Sequence, residues 1–175
     1  MKKIVAFGAS SSKQSTNQQL AVWAANQVSD VEVKELNLND FEAPIYSIDK
    51  ETENGFPEEI VKFKEEVNNA DGLVISLAEH NGNFTAAFKN IYDWISRVDR
   101  SVWNDVPMLL LASSPGPGGG SGVLAIASRG FGYAGGNIVG SFSLPSFMKN
   151  FSEGINDSEL LAEFNKQLDQ FKNSI

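Results

Sequence analysis

The chain has no cysteine and a single histidine among its 175 residues, and its 14 lysines and arginines are outnumbered by 22 acidic residues. Without cysteine there is no disulfide, no thiol chemistry and no iron–sulfur cluster. With one histidine, His80, and no acidic cluster at ligand spacing, no metal centre is expected. A net charge of −8 leaves no basic field to neutralise a polyphosphate backbone, which argues against nucleic acid and anionic membrane surfaces as partners. Long apolar runs are missing as well. After Met1-Lys2-Lys3 only four apolar residues precede Gly8, too few for a signal peptide, and no stretch approaches a membrane span; a cytoplasmic location is the expectation. What is present is 42% apolar content, which suits one domain over residues 1–175 with its own core.

The most informative stretch is the first. The apolar run Ile4-Val5-Ala6-Phe7 breaks into Gly8-Ala9-Ser10-Ser11-Ser12-Lys13-Gln14-Ser15-Thr16-Asn17, which reads as strand, polar loop and helix. Ser15 and Thr16 are each followed three residues later by a glutamine, Gln18 and Gln19, the spacing of a capping box, and Leu20, Ala24 and Val28 form a helical stripe. The loop therefore sits where free backbone N–H groups and the positive end of a helix dipole meet, a setting that suits an anionic phosphate. Capping alone accounts for one or two hydroxyls; Ser10, Ser11, Ser12, Ser15 and Thr16, with Lys13, are more than one cap uses. Walker A spacing fails, since it needs glycine at 13, lysine at 14 and serine at 15, and no G-x-G-x-x-G follows Gly8.

Further along, residues 31–36 alternate loosely as an edge strand would, whereas 72–78 and 107–112 are near-continuous apolar runs like the first and belong in the sheet centre. Residues 138–144, weakened by Gly140 and Ser141, suit the other edge. Helical stripes lie between: Ile60, Phe63, Val67 and Ala70 behind Pro57; Phe84, Phe88, Ile91, Ile95 and Val98; Val123, Ile126 and Ala127; Leu161, Phe164, Leu168 and Phe171. The fold class is α/β, a flavodoxin-like doubly wound five-stranded parallel sheet in the order 2-1-3-4-5.

Such sheets bind ligands beyond the carboxyl ends of the strands, near the point where strand order reverses. There the third strand is followed by Ala78-Glu79-His80-Asn81-Gly82-Asn83-Phe84-Thr85, and the fourth by Ser113-Ser114-Pro115-Gly116-Pro117-Gly118-Gly119-Gly120-Ser121-Gly122. Three converging loops suit a flat polar heterocycle: the second offers amides and ring faces, the third close backbone approach. Against this stand plainer readings, an ordinary turn at Asn81-Gly82 and a flexible connector at 116–122. A Ser/His/Glu hydrolase is disfavoured, because there is no G-x-S-x-G and adjacent Glu79 and His80 on an extended strand end point to opposite sides. The long connection 37–56 either roofs the site or is irregular packing, and Trp94 with Trp103 either faces an interface or is buried.

The pattern S-x-x-K-x-S-x-N formed by Ser10, Lys13, Ser15 and Asn17, then Glu79, Asn81, Gly82, Phe88, Lys89, Asn90, Asp93 and Trp94, then the glycine-rich Ser114 to Gly120, resembles the NAD(P)H-dependent FMN reductase family of flavodoxin-like proteins over residues 1 to 145. The resemblance implies bound FMN, with its phosphate at Ser10, Ser12, Lys13, Ser15, Thr16 and Asn17. The isoalloxazine ring would lie against Glu79, His80, Asn81, Gly82, Asn83 and Phe84 on one loop and Ser114, Pro115, Gly116, Gly118 and Gly119 on the other. It further implies NAD(P)H as reductant, quinones, azo dyes, metal oxyanions or free flavin as acceptors, a ping-pong cycle, and a homodimer or homotetramer; no residue receives a catalytic role. Ala78, His80 and Lys13 depart from the family's proline, tyrosine and arginine, and a lysine cannot grip phosphate with two prongs. A flavodoxin-like electron carrier served by a partner reductase is the alternative, and a flavin-less binding protein on the same fold the third reading.

Overall fold

A computed structural model describes residues 1–175. Five parallel strands form the main sheet: β1 (Lys2–Ala9), β2 (Val31–Glu35), β3 (Gly72–Leu77), β6 (Pro107–Ser113) and β7 (Asn137–Leu144). Their spatial order is β2-β1-β3-β6-β7, which counts as 2-1-3-4-5 among the strands of that sheet. A separate two-stranded hairpin is made by β4 (Glu79–His80) and β5 (Asn83–Phe84). The helices are α1 (Thr16–Ala25), α2 (Ile48–Asn54), α3 (Glu58–Asn68), α4 (Ala86–Val98), α5 (Ser121–Gly130), α6 (Phe147–Asn150) and α7 (Ser158–Lys172).

Strand periodicity sorts the core into two layers. Val5, Phe7, Leu73, Ile75, Met108 and Leu110 face α3, α4 and α5, while their neighbours Ile4, Ala6, Val74, Leu109 and Leu111 face α1, α6 and α7. Central strands covered on both faces favour apolar residues at nearly every position, which is why β1, β3 and β6 read as near-continuous runs. Strand β2 lies at the edge and keeps Glu32, Lys34 and Glu35 in solvent, charges that discourage further strand pairing. No helix is long and apolar enough to cross a membrane.

The 37–56 connection lines one cavity with Ser11 of the first loop and another, through Asn37, with Ser10 and Ser12. It runs along α4, held by side chains the sequence marks. Asn90 Oδ1 accepts from Tyr46 N–H at 2.9 Å and its amide donates to Ala43 O at 3.0 Å. Trp94 Nε1 donates to Pro44 O at 2.7 Å. Trp94 and Trp103 are both buried within the chain, so neither offers an interface. The Arg97 guanidinium on Glu51 draws that carboxyl below its ordinary range and ties α2 to α4. Helix α2 buries no residue, which is why no apolar stripe announces it in the sequence.

Candidate functional site

The first loop is folded by its own hydroxyls. Ser10 Oγ accepts from Ser12 N–H at 3.2 Å, and Ser12 Oγ from Gln14 N–H at 3.3 Å. Ser15 is the N-cap of α1, its Oγ accepting from Gln18 N–H at 3.1 Å. Thr16 and Asn17, the next two residues, have no backbone acceptor for their N–H groups, as the first turn of any helix leaves them. The capping box suggested by Ser15 and Gln18 forms in one direction only. Instead of returning to the cap, the Gln18 side chain accepts from Gly8 N–H at 2.7 Å and donates to Leu36 O at 3.1 Å, fastening the helix start to the ends of β1 and β2. Asn17 is almost fully buried and donates to Ser113 O at 3.1 Å.

The second loop is a tight hairpin. Asn81 and Gly82 both have positive φ, 53° and 72°, as a two-residue turn matching the strand twist requires. The plainer reading of Asn81-Gly82 as a turn is therefore what the backbone shows. Phe84 belongs to β5 and not to α4, although its spacing to Phe88 is helical; its ring packs 5.3 Å from Phe88 and 6.0 Å from Phe131. Thr85 caps α4 and donates its hydroxyl to Ala9 O at 3.0 Å, joining this loop to the first. Glu79 Oε2 accepts from Val123 N–H of α5 at 2.8 Å. No Glu79–His80 dyad forms, and His80 stands exposed on the hairpin.

The glycine-rich segment is bonded in place. Phe147 N–H donates to Ser114 O at 3.0 Å, Ser146 N–H to Gly116 O at 2.9 Å, and Ser143 Oγ to Gly119 O at 2.9 Å. Gly119 has φ +60°, and a Cβ there would run into Ser143 Oγ; a side chain fits neither the backbone nor the space. This is a fixed turn between β6 and α5, not a free connector.

The loops border an open polar cavity of about 250 Å³ at the carboxyl ends of β1, β3 and β6. Ser10, Ser12, Ser15, Thr16 and Asn17 line it from the first loop, Glu79 and His80 from the second, and Ser114 and Pro115 from the third. Gln14, Ala78 and Ser113 also line it; of these the sequence reading singled out only Ala78. Ser113 Oγ is the residue most easily missed, since it ends an apolar strand. Lys13 instead lines a larger neighbouring cavity of about 450 Å³, which shares Ser10, Ser12, Gln14 and Ser15 and extends along α1 to Trp23 and Phe151. Asn81, Gly82, Asn83, Phe84, Gly116, Gly118 and Gly119 line neither, standing at the hairpin tip, in the aromatic core or on the turn.

The residues present fit a phosphorylated planar ligand. Ser113 Oγ is buried without a partner and lies at the cavity wall, a hydroxyl left for something the protein does not supply. Free first-turn amides and the α1 dipole suit the phosphate.

The family model described as NADPH-dependent FMN reductase matches residues 2–152. Among relatives of known name, the quinone reductase of Escherichia coli K12 is 36% identical over 78 residues, 45% of this chain and 42% of that protein. The 2-hydroxy-1,4-benzoquinone reductase of Burkholderia sp is 38% identical over 74 residues, 42% of this chain and 39% of that protein. The matched segment thus spans less than half the length of these relatives. Among solved structures, the flavoenzyme NAD(P)H:(acceptor) oxidoreductase FerB from Paracoccus denitrificans superposes with a TM-score of 0.76 at 20% identity over 99% of this chain and 97% of that one. A flavodoxin from Pseudomonas aeruginosa superposes with a TM-score of 0.58 at 16% identity over 99% of this chain and 98% of that one. Likeness at these identities speaks for the fold alone.

Proposed function

We infer that this chain, which belongs to the NADPH-dependent FMN reductase family, is an FMN-dependent oxidoreductase that takes electrons from NADPH or NADH and passes them to a quinone-type acceptor in a ping-pong cycle. FMN, when bound, supplies two-electron redox chemistry between the nicotinamide and the acceptor. The observation that carries the reading is the single pocket in which the α1 N-terminus, the unpartnered Ser113 hydroxyl and the two strand-end loops converge.

In this reading Ser10, Ser12, Ser15 and the free Thr16 and Asn17 amides hold the phosphate, with Ser15 Oγ still accepting from Gln18 N–H while its own proton is free to be donated. Ser113 and Ser114 meet the polar edge of the ligand, and His80 packs beside the ring. Lys13, on the far side of the first loop, adds positive potential and not a direct clamp. The family implies both FMN and NAD(P)H, and the relatives named as quinone reductases favour a small quinone acceptor. One open site serves reductant and acceptor, so they bind in turn. We further propose that residues 1–175 act as one flavin-binding unit assembled into a homodimer or homotetramer.

The likeness to a flavodoxin keeps an electron-carrier reading in view, and one experiment separates the two. The purified, flavin-loaded protein is mixed without oxygen with NADPH or NADH in a stopped-flow instrument, and then with a quinone. Bleaching followed by recolouring is expected. A yellow colour that persists over minutes at millimolar reductant would replace the reductase with a carrier that depends on a partner.

A further inference from the structure

Strands β4 and β5 pair only with each other, through Glu79 with Phe84 and His80 with Asn83. A hairpin this short does not hold itself in water. On its trailing side it is anchored by Phe84 in the aromatic core and by the Thr85 hydroxyl on Ala9 O. Its leading side has the Glu79 carboxylate, whose Oε2 takes the N–H of Val123, the third residue of α5. That N–H belongs to the first turn, where a negative charge is favoured by the helix dipole. Gly122 leaves room for this approach, because a Cβ there would stand 2.9 Å from the same Oε2 and the carboxylate would have to shift.

We propose that Glu79 is a positioning residue and not a flavin ligand: it locks the 79–84 hairpin onto α5, with Gly122 as the cut-away that admits it. The proposal rests on the reading of the pocket as an FMN site. The lock fixes the distance between the second and third loops, which are the two walls of a slot for a planar ring. It also draws a carboxylate onto a helix terminus, where it is kept from opposing a phosphate in the same cavity.

The test compares Glu79→Ala, Glu79→Gln, Gly122→Ala and the double variant Glu79→Ala/Gly122→Ala. In the flavin-free protein, amide hydrogen exchange at Val123 and through the hairpin should speed up about tenfold or more in Glu79→Ala and in Gly122→Ala, and stay near wild type in Glu79→Gln, whose Oε1 still accepts. FMN should bind about tenfold more weakly to both alanine variants, with the same change in the visible circular dichroism of the bound flavin. The double variant should be no worse than either single one, because both break one contact. Gly→Ala inside a helix ordinarily stabilises, so weakened binding in Gly122→Ala has no trivial cause. The proposal is overturned if Gly122→Ala leaves Val123 exchange and FMN affinity unchanged, or if the two losses add in the double variant, which would place Glu79 directly on the flavin. Failure of the wild-type protein to bind FMN sinks the oxidoreductase reading alone, since exchange in the flavin-free protein still decides the lock.

Discussion

Ser76 Oγ, fully buried in the central strand, donates to Asn17 Oδ1 on the first turn of α1 at 2.7 Å. The same asparagine donates to Ser113 O at the end of β6, so one side chain binds α1 to two adjacent strands. Replacing Asn17 by alanine strands the Ser76 hydroxyl and one carbonyl in the interior, and stability in urea should fall by about 1–3 kcal/mol. Asn17→Asp keeps the acceptor for Ser76 but sets a carboxylate against Ser113 O and beside the proposed phosphate. FMN titration should therefore show a greater loss for aspartate than for alanine. The reverse order would place the phosphate elsewhere.

Ser15 has two tasks that separate by substitution. As N-cap its loss in Ser15→Ala should cost about 1 kcal/mol in the flavin-free protein. As a phosphate donor its loss should weaken FMN binding by about 1.5–3 kcal/mol, or one to two decades. Ser15→Asp caps as well as serine but brings a negative charge to the anion site. Urea unfolding near wild type together with FMN binding poorer than in Ser15→Ala is the expected pair of results; tight FMN binding by the aspartate variant would refute the assignment.

The sheet is legible because burial on two faces forces the apolar runs 72–78 and 107–112, and edge exposure forces the alternation at 31–36. The family motif is legible too, and the structure gives Asn90 and Trp94 a physical task, the clamp on the 43–46 stretch. Other features leave no trace in a linear pattern. Phe84 falls on the α4 stripe by spacing alone, and a polar helix such as α2 has no stripe to find. Gln18 looks like half of a capping box, yet the ends of β1 and β2 compete for its amide and win. The bond from Val123 N–H to Glu79 leaves no trace either, because the two residues lie 44 apart in sequence.

Lys64 is the other residue that sequence reading passes over, a lysine on α3 with a side chain only 4% exposed. Its ammonium donates to Val102 O at 2.9 Å and lies 3.2 Å from Asp99 Oδ2. The N–H of Ser101, and then Lys64, hold the Asp99 carboxyl below its ordinary value of 3.8. A carboxylate held low in the folded state takes up its proton later than in the unfolded chain. Its contribution is therefore present above pH 3.8 and lost as pH falls below it. Lys64→Met should cost about 2–3 kcal/mol near neutral pH by leaving buried carbonyls unpaired. Part of that difference should vanish between about pH 5 and pH 2 in thermal unfolding series. A wild-type-to-variant gap that stays constant across this range would show that Asp99 takes no part.

Ser113 gives the sharpest separation between stability and binding. Its side chain is 1% exposed residue-wide, and Oγ has no partner in the protein. A buried hydroxyl without a partner costs folding free energy, so removing it should leave the flavin-free protein as stable as wild type, or more stable by up to about 1 kcal/mol. The Asn17 bond is untouched, because it ends on the Ser113 carbonyl and not on the side chain. If the hydroxyl is kept for the ligand, Ser113→Ala should bind FMN about tenfold more weakly, the worth of one hydrogen bond. Urea unfolding of the flavin-free protein and fluorescence titration with FMN give the two numbers side by side. Should Ser113→Ala destabilise the flavin-free protein and leave FMN affinity intact, the hydroxyl is a structural group and the cavity wall at the end of β6 is not where the flavin lies.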